Sequence, residues 1–152
     1  MNATNAANIL FEYTLNVTSV TEYGMSLAAL ASGQALPPPE GARFDIVMEG
    51  SVSGPRIEGA VKAIDYARVR ADGRFDLHIH AEITTGKGSK IALFSDGVAI
   101  VQPGSPIVEL RENISLFASA EDDKWVNPLQ VWGVGTVDLV RQVIHVKGYS
   151  AS

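Results

Sequence analysis

The run Asp76-Leu77-His78-Ile79-His80-Ala81-Glu82-Ile83-Thr84 carries the densest set of chemically capable side chains in the sequence. On a strand, side chains alternate between faces, so Asp76, His78, His80, Glu82 and Thr84 share one side and Leu77, Ile79, Ala81 and Ile83 the other. Imidazole changes charge near neutral pH. A strand face with His78 and His80 beside Glu82 is therefore suited to moving protons, with the histidines as acid and base and Glu82 orienting or sharing the proton. The same His-x-His spacing with a carboxylate can chelate zinc or iron, with His145 as a further ligand. It is also the ordinary wet face of a half-buried antiparallel sheet.

Other residues suit a supporting role. Arg56 follows Gly54-Pro55, and its planar guanidinium could anchor a carboxylate or stabilise an oxyanion. Tyr66, Trp125, Asn127 and Glu49 could supply wall or hydrogen-bonding contacts to a substrate. The bland alternatives are a surface arginine after a turn, a Trp lid over a barrel end and an asparagine that satisfies turn backbone. Gly86-Lys87-Gly88-Ser89-Lys90 lacks the spacing of a phosphate-binding loop, and no helix is expected after it. No nucleophile elbow, zincin motif or dinucleotide fingerprint is present.

These side chains must be positioned by short strands. In residues 9–18, Ile9, Phe11, Tyr13, Leu15 and Val17 alternate with Glu12, Thr14, Asn16 and Thr18, a period of two. Further strands are expected over 44–49, 57–64, 66–70, 75–84, 90–94, 98–101, 114–118, 129–136 and 137–146. Turn chemistry separates them, and Asp72-Gly73 between two alternating runs is the strongest hairpin signal. Strands at this spacing suggest a sandwich or a barrel. One segment differs: Met25 to Ala31 is helix-tolerant, stops at Gly33 and meets Pro37-Pro38-Pro39, so it reads as a short helix or loop that could lid one end.

Composition narrows the classes. The chain has 152 residues, the size of one domain, with a polar tail over residues 1–8 and a single domain over 9–150. The net charge is −5, from 12 basic and 17 acidic residues, which argues against nucleic acid as a partner. With 46% hydrophobic and 19% charged residues, the chain should form a packed globule. The absence of cysteine excludes disulfides, thiolate catalysis and Cys-based metal sites. No signal-peptide pattern or apolar run of roughly 18–20 residues is visible, so the expected setting is cytoplasmic with no membrane partner.

A series of short motifs carries a resemblance. In order they are Gly41-Ala42-Arg43, the run from Gly50 to Gly59, Asp65-Tyr66, Arg70-Ala71-Asp72-Gly73, the run from Thr85 to Ile91, Trp125-Val126-Asn127 and Gly133-Val134-Gly135. Together they resemble the proteins grouped as domain of unknown function 3237, over nearly the whole chain. The resemblance implies a small closed antiparallel β-barrel similar to allene oxide cyclase and dirigent proteins, often homo-oligomeric. Relatives of that barrel hold a greasy substrate in the lumen and steer isomerisation or ring closure, usually without a cofactor. Where the family carries an Asp/Arg pair, this chain has His78 and His80.

The resulting expectation is an all-β protein, a closed barrel of about eight strands with one short helix or lid loop. It would bind a small hydrophobic or aromatic metabolite and catalyse cofactor-independent cyclisation, isomerisation or proton-transfer rearrangement. The alternatives are a non-catalytic binding barrel and a metal-dependent enzyme built on His78, His80 and Glu82. All the catalytic expectations require the face of residues 76–84 that bears the histidines to point inward.

Overall fold

The computed structural model describes residues 8–150. It contains eight strands: β1 (Asn8–Glu22), β2 (Ala42–Ser53), β3 (Glu58–Val69), β4 (Phe75–Thr85), β5 (Lys90–Ile100), β6 (Ile107–Phe117), β7 (Gln130–Asp138) and β8 (Val143–Ser150). A helix α1 (Leu27–Ser32) follows β1, and a 3-10 turn (Glu121–Val126) follows β6. Each strand pairs antiparallel with the next, and β8 pairs back with β1, so the sheet closes into a barrel with no free edge. The polar tail expected over residues 1–8 lies outside the described residues, except for Asn8, which opens β1.

From Phe11 on, the alternation seen in the sequence becomes inside and outside; a register shift between Ile9 and Phe11 leaves Ile9 exposed and buries Leu10 instead. Phe11, Tyr13 and Leu15 of β1, Leu77, Ile79 and Ile83 of β4, and Leu110, Ile114 and Leu116 of β6 are all buried. Asp72-Gly73 makes the expected tight turn, with the Gly73 amide donating to the Arg70 carbonyl at 2.8 Å. A bulge between Val17 and Ser19 shifts the β1 register against β2. Because of that extra residue, Val17 and Val20 both face the lumen.

Several expected boundaries differ, each for a physical reason. The runs 57–64 and 66–70 belong to one strand, β3, and 90–94 and 98–101 to another, β5. Asp96-Gly97 reads as a turn, yet Gly97 sits mid-strand, paired with Leu77 on one side and Glu112 on the other. A Cβ there would lie 2.0 Å from the Arg111 carbonyl oxygen, so the glycine answers a close backbone approach. Strand β6 starts at Ile107, well before Ile114, and residues 137–146 contain the β7–β8 turn.

The two ends of the barrel are filled differently. At one end Phe11, Val52, Ile83, Ile91, Ile114, Val131 and Val146 pack with Val126 of the 3-10 turn, all almost fully buried. The Asn127 side chain fastens this turn, accepting from the Ala118 amide and donating to the Ala118 carbonyl, both at 2.8 Å. At the other end α1 is seated by a separate cluster of Leu30, Ala42, Phe44, Ala67 and Val69. Ser26 caps the helix by accepting from the Ala29 amide, and Gly33 ends it with φ 81°. Among the described residues, no helix is long and apolar enough to cross a membrane.

Candidate functional site

The inward-facing expectation for the histidine face is not met. His78, His80 and Glu82 are exposed on the outer surface of β4, while Leu77, Ile79 and Ile83 point into the barrel. The apolar face takes the interior because its burial contributes about 25 cal/mol per Å², and a shift of one residue exchanges the faces. On the outside, His80 lies between Tyr66 and Phe94 in edge-to-face contacts at 5.7 and 5.0 Å. Glu82 pairs with Lys90, which also donates to Thr84 at 2.9 Å.

The metal reading meets the same geometry. Among the described residues, no group of three or more His, Asp or Glu side chains is clustered to hold a metal ion. His145 lies on β8, 3.7 Å from Glu12. The other candidates are also outside the lumen. Arg56 stacks over the Trp125 ring at 3.9 Å, beside the packed end. Asn127 spends its amide on Ala118, and Glu49 and Tyr66 are exposed. The sequence thus placed chemistry on the outer wall of the barrel.

The interior has its own polar residues. Beneath α1 lies an apolar cavity of about 160 Å³, lined from α1 by Leu27 and Ala31 and from the strands by residues such as Phe44, Met48, Ile79 and Leu110. An apolar cavity of about 150 Å³ is large enough for one benzene ring. Into this wall β3 places Asp65 and β6 places Glu112, which are 6% and 1% exposed. Tyr13 of β1 also lines the cavity, and its hydroxyl donates to Glu112 Oε1 at 2.8 Å. The Ser95 hydroxyl of β5 donates to the same oxygen at 2.8 Å. Glu112 Oε2 is buried without a partner among the described residues.

Asp65 Oδ1 accepts the backbone amide of His78 at 2.9 Å. In an unbroken antiparallel ladder that amide would donate to the β3 backbone; here the β3–β4 pairing skips Tyr66 and Ala67. Burial pushes the Asp65 carboxyl up to about 7; the His78 amide opposes the rise and the nearby Glu112 charge adds to it. Burial also raises Glu112, against the two hydroxyl donors. The Tyr13 phenol is held well above its usual range by burial first and the Glu112 charge second.

Near neutral pH, then, Asp65 is divided between carboxylate and acid. A neutral Glu112 would carry its proton on Oε2, because Oε1 already accepts two hydroxyls. Two carboxyls raised by burial and lining one mostly apolar cavity are suited to exchange a proton, or share a hydrogen bond, with a bound molecule. Neither carboxyl is among the candidates drawn from the sequence; the signal that points to them is a carboxylate on the buried phase of an alternating strand. Val61, Ala63, Asp65, Ala67 and Val69 run inward on β3, and Val108, Leu110, Glu112, Ile114 and Leu116 on β6.

Known structures share this architecture. No protein-family model matches the chain, and no curated protein does. A protein of unknown function from Clostridium acetobutylicum superposes with a TM-score of 0.77 at 20% identity, over 97% of this chain and 99% of that one. A beta-barrel like protein from Acinetobacter baumannii gives 0.73 at 16% identity, over 97% and 96%. An enzyme from Penicillium herquei gives 0.62 at 19% identity, over 96% and 95%. The protein is thus a closed eight-stranded antiparallel β-barrel, and its neighbours share the fold across nearly their whole length.

Proposed function

We propose that the barrel binds a small, mostly apolar molecule in its lumen and catalyses a cofactor-independent proton-transfer rearrangement, an isomerisation or ring closure. The observation that carries this reading is a pair of buried carboxyls, Asp65 and Glu112, in an otherwise apolar cavity. Asp65 is the base, held by the His78 amide. Glu112 is the hydrogen-bond donor through Oε2, with Tyr13 and Ser95 fixing its other oxygen. For a β,γ-unsaturated ketone, Asp65 takes the proton between the carbonyl and the alkene. Glu112 stabilises the enolate oxygen, and return of the proton at the γ carbon gives the conjugated isomer. The low-dielectric wall excludes water and strengthens each of these contacts.

The fold of the Penicillium herquei enzyme supports catalysis in a barrel of this shape. The motif series supports placing the chain with the domain of unknown function 3237 proteins. A one-ring β,γ-unsaturated ketone in deuterated buffer tests the reading. NMR should show deuterium entering the ring faster than in buffer alone, and Asp65→Asn should abolish the difference. Ring binding in the lumen with no exchange above buffer would instead make the protein a non-catalytic binding barrel.

A further inference from the structure

Arg43, Arg68, Arg70 and Arg74 gather in one outer groove of about 600 Å³, in a chain whose net charge is −5. Two of these arginines are already paired. Arg70 meets Asp72 and Arg74 meets Asp76, each at 2.7 Å. The other nearby carboxylates also have partners: Asp45 accepts the Tyr23 hydroxyl at 2.6 Å, and Asp96 accepts from Asn113 at 3.1 Å. Arg43 and Arg68 are direct cross-strand partners on β2 and β3, both exposed on the outer face. Among the described residues neither forms an ion pair. Like charges directly opposite across a ladder destabilise the sheet, so this placement calls for an anion.

The groove lies against the lumen. Asp76 and Leu77 line both, and beside them the β3–β4 pairing skips Tyr66 and Ala67. We propose that the ligand is an acid, with a ring-sized apolar body in the lumen joined to an oxyanion head on Arg43 and Arg68. Two planar guanidiniums match the geometry of a carboxylate or phosphate. The proposal rests on the lumen being the ligand cavity, and it adds the charge and placement of the head group.

The test titrates 4-phenylbutanoate, neutral 4-phenylbutanamide and inorganic phosphate into the full chain at low salt, with NMR detection. The acid should bind about tenfold more tightly than the amide. Arg43→Gln with Arg68→Gln should remove that preference while the amide's affinity stays the same. Phosphate alone should move the Arg43 and Arg68 Nε–H resonances. Equal affinities for acid and amide, with those resonances unmoved by phosphate, would overturn the anion site. Movement of the arginine resonances with no response of the Leu77 and Ile79 methyls to either phenyl compound would overturn the lumen reading and leave the anion site standing. A phenyl carboxylate that shifts both sets supports the whole proposal.

Discussion

The packed and hollow ends of the barrel are built from the same eight strands, yet they differ in what faces inward. On β4, Ile83 at the packed end is 1% exposed, while Ile79 beside the cavity is 8% exposed. On β3 the inward series runs from Val61 through Asp65 to Ala67, and small or polar side chains leave space where Val61 leaves none. Dense aliphatic packing at one end buries side chains almost completely and helps hold the barrel closed. That stability lets the other end keep a cavity and two carboxyls whose burial is costly. The division of labour lies along the barrel axis, not between its inner and outer faces.

The largest expected effect breaks the packed end. Phe11 is fully buried, and Phe11→Ala should lower the unfolding free energy by about 3–5 kcal/mol in chemical denaturation. Asp65→Asn should act with the opposite sign. The Asp65 carboxyl titrates near 3.8 in an unfolded chain and near 7 in the fold, so between these values the folded state binds more protons. Stability should therefore fall as pH rises from 4 to 8, at up to about 1.4 kcal/mol per unit and roughly 4 kcal/mol in all. Asp65→Asn should flatten that slope and stabilise the protein at pH 8, because the amide oxygen can still accept from His78.

A finer contrast uses one residue type on one strand face. Ile83→Ala should cost about 4 kcal/mol and Ile79→Ala about 2 kcal/mol, because the second enlarges a space that already exists. Equal losses would mean that the cavity collapses in solution. The smallest effect belongs to the outer wall. His78→Ala with His80→Ala should cost less than about 1.5 kcal/mol, the loss of edge-to-face contacts with Tyr66 and Phe94. It should leave ring binding in the lumen unchanged. A loss of binding in that variant would move the site back to the histidine face.

The barrel was legible because period-two alternation and turn residues are local signals. β1, β4, the Asp72-Gly73 turn and the short helix before Gly33 all follow from neighbours in sequence. The site was less legible for two reasons. Asp65 fell between two expected strands, since a carboxylate looked like a break when it was the continuation of an inward series. Glu112 lies in Glu109-Leu110-Arg111-Glu112-Asn113, whose charge density hides the first half of β6. Their assembly is non-local: Tyr13 and Glu112 are 99 residues apart and Ser95 and Glu112 are 17 apart. Only closure of the barrel brings those strands around one cavity. The histidine pair was conspicuous, and the phase of its strand turned it outward.

The most direct measurement is the titration of the Asp65 and Glu112 side-chain carboxyl carbons by NMR in the intact protein. The expected result is a midpoint near 7 for Asp65 and a raised one for Glu112, both lowered by opening the lumen to water. Two ordinary carboxylate midpoints near 4 would contradict it, since the lumen would then hold no acid–base pair poised for neutral pH.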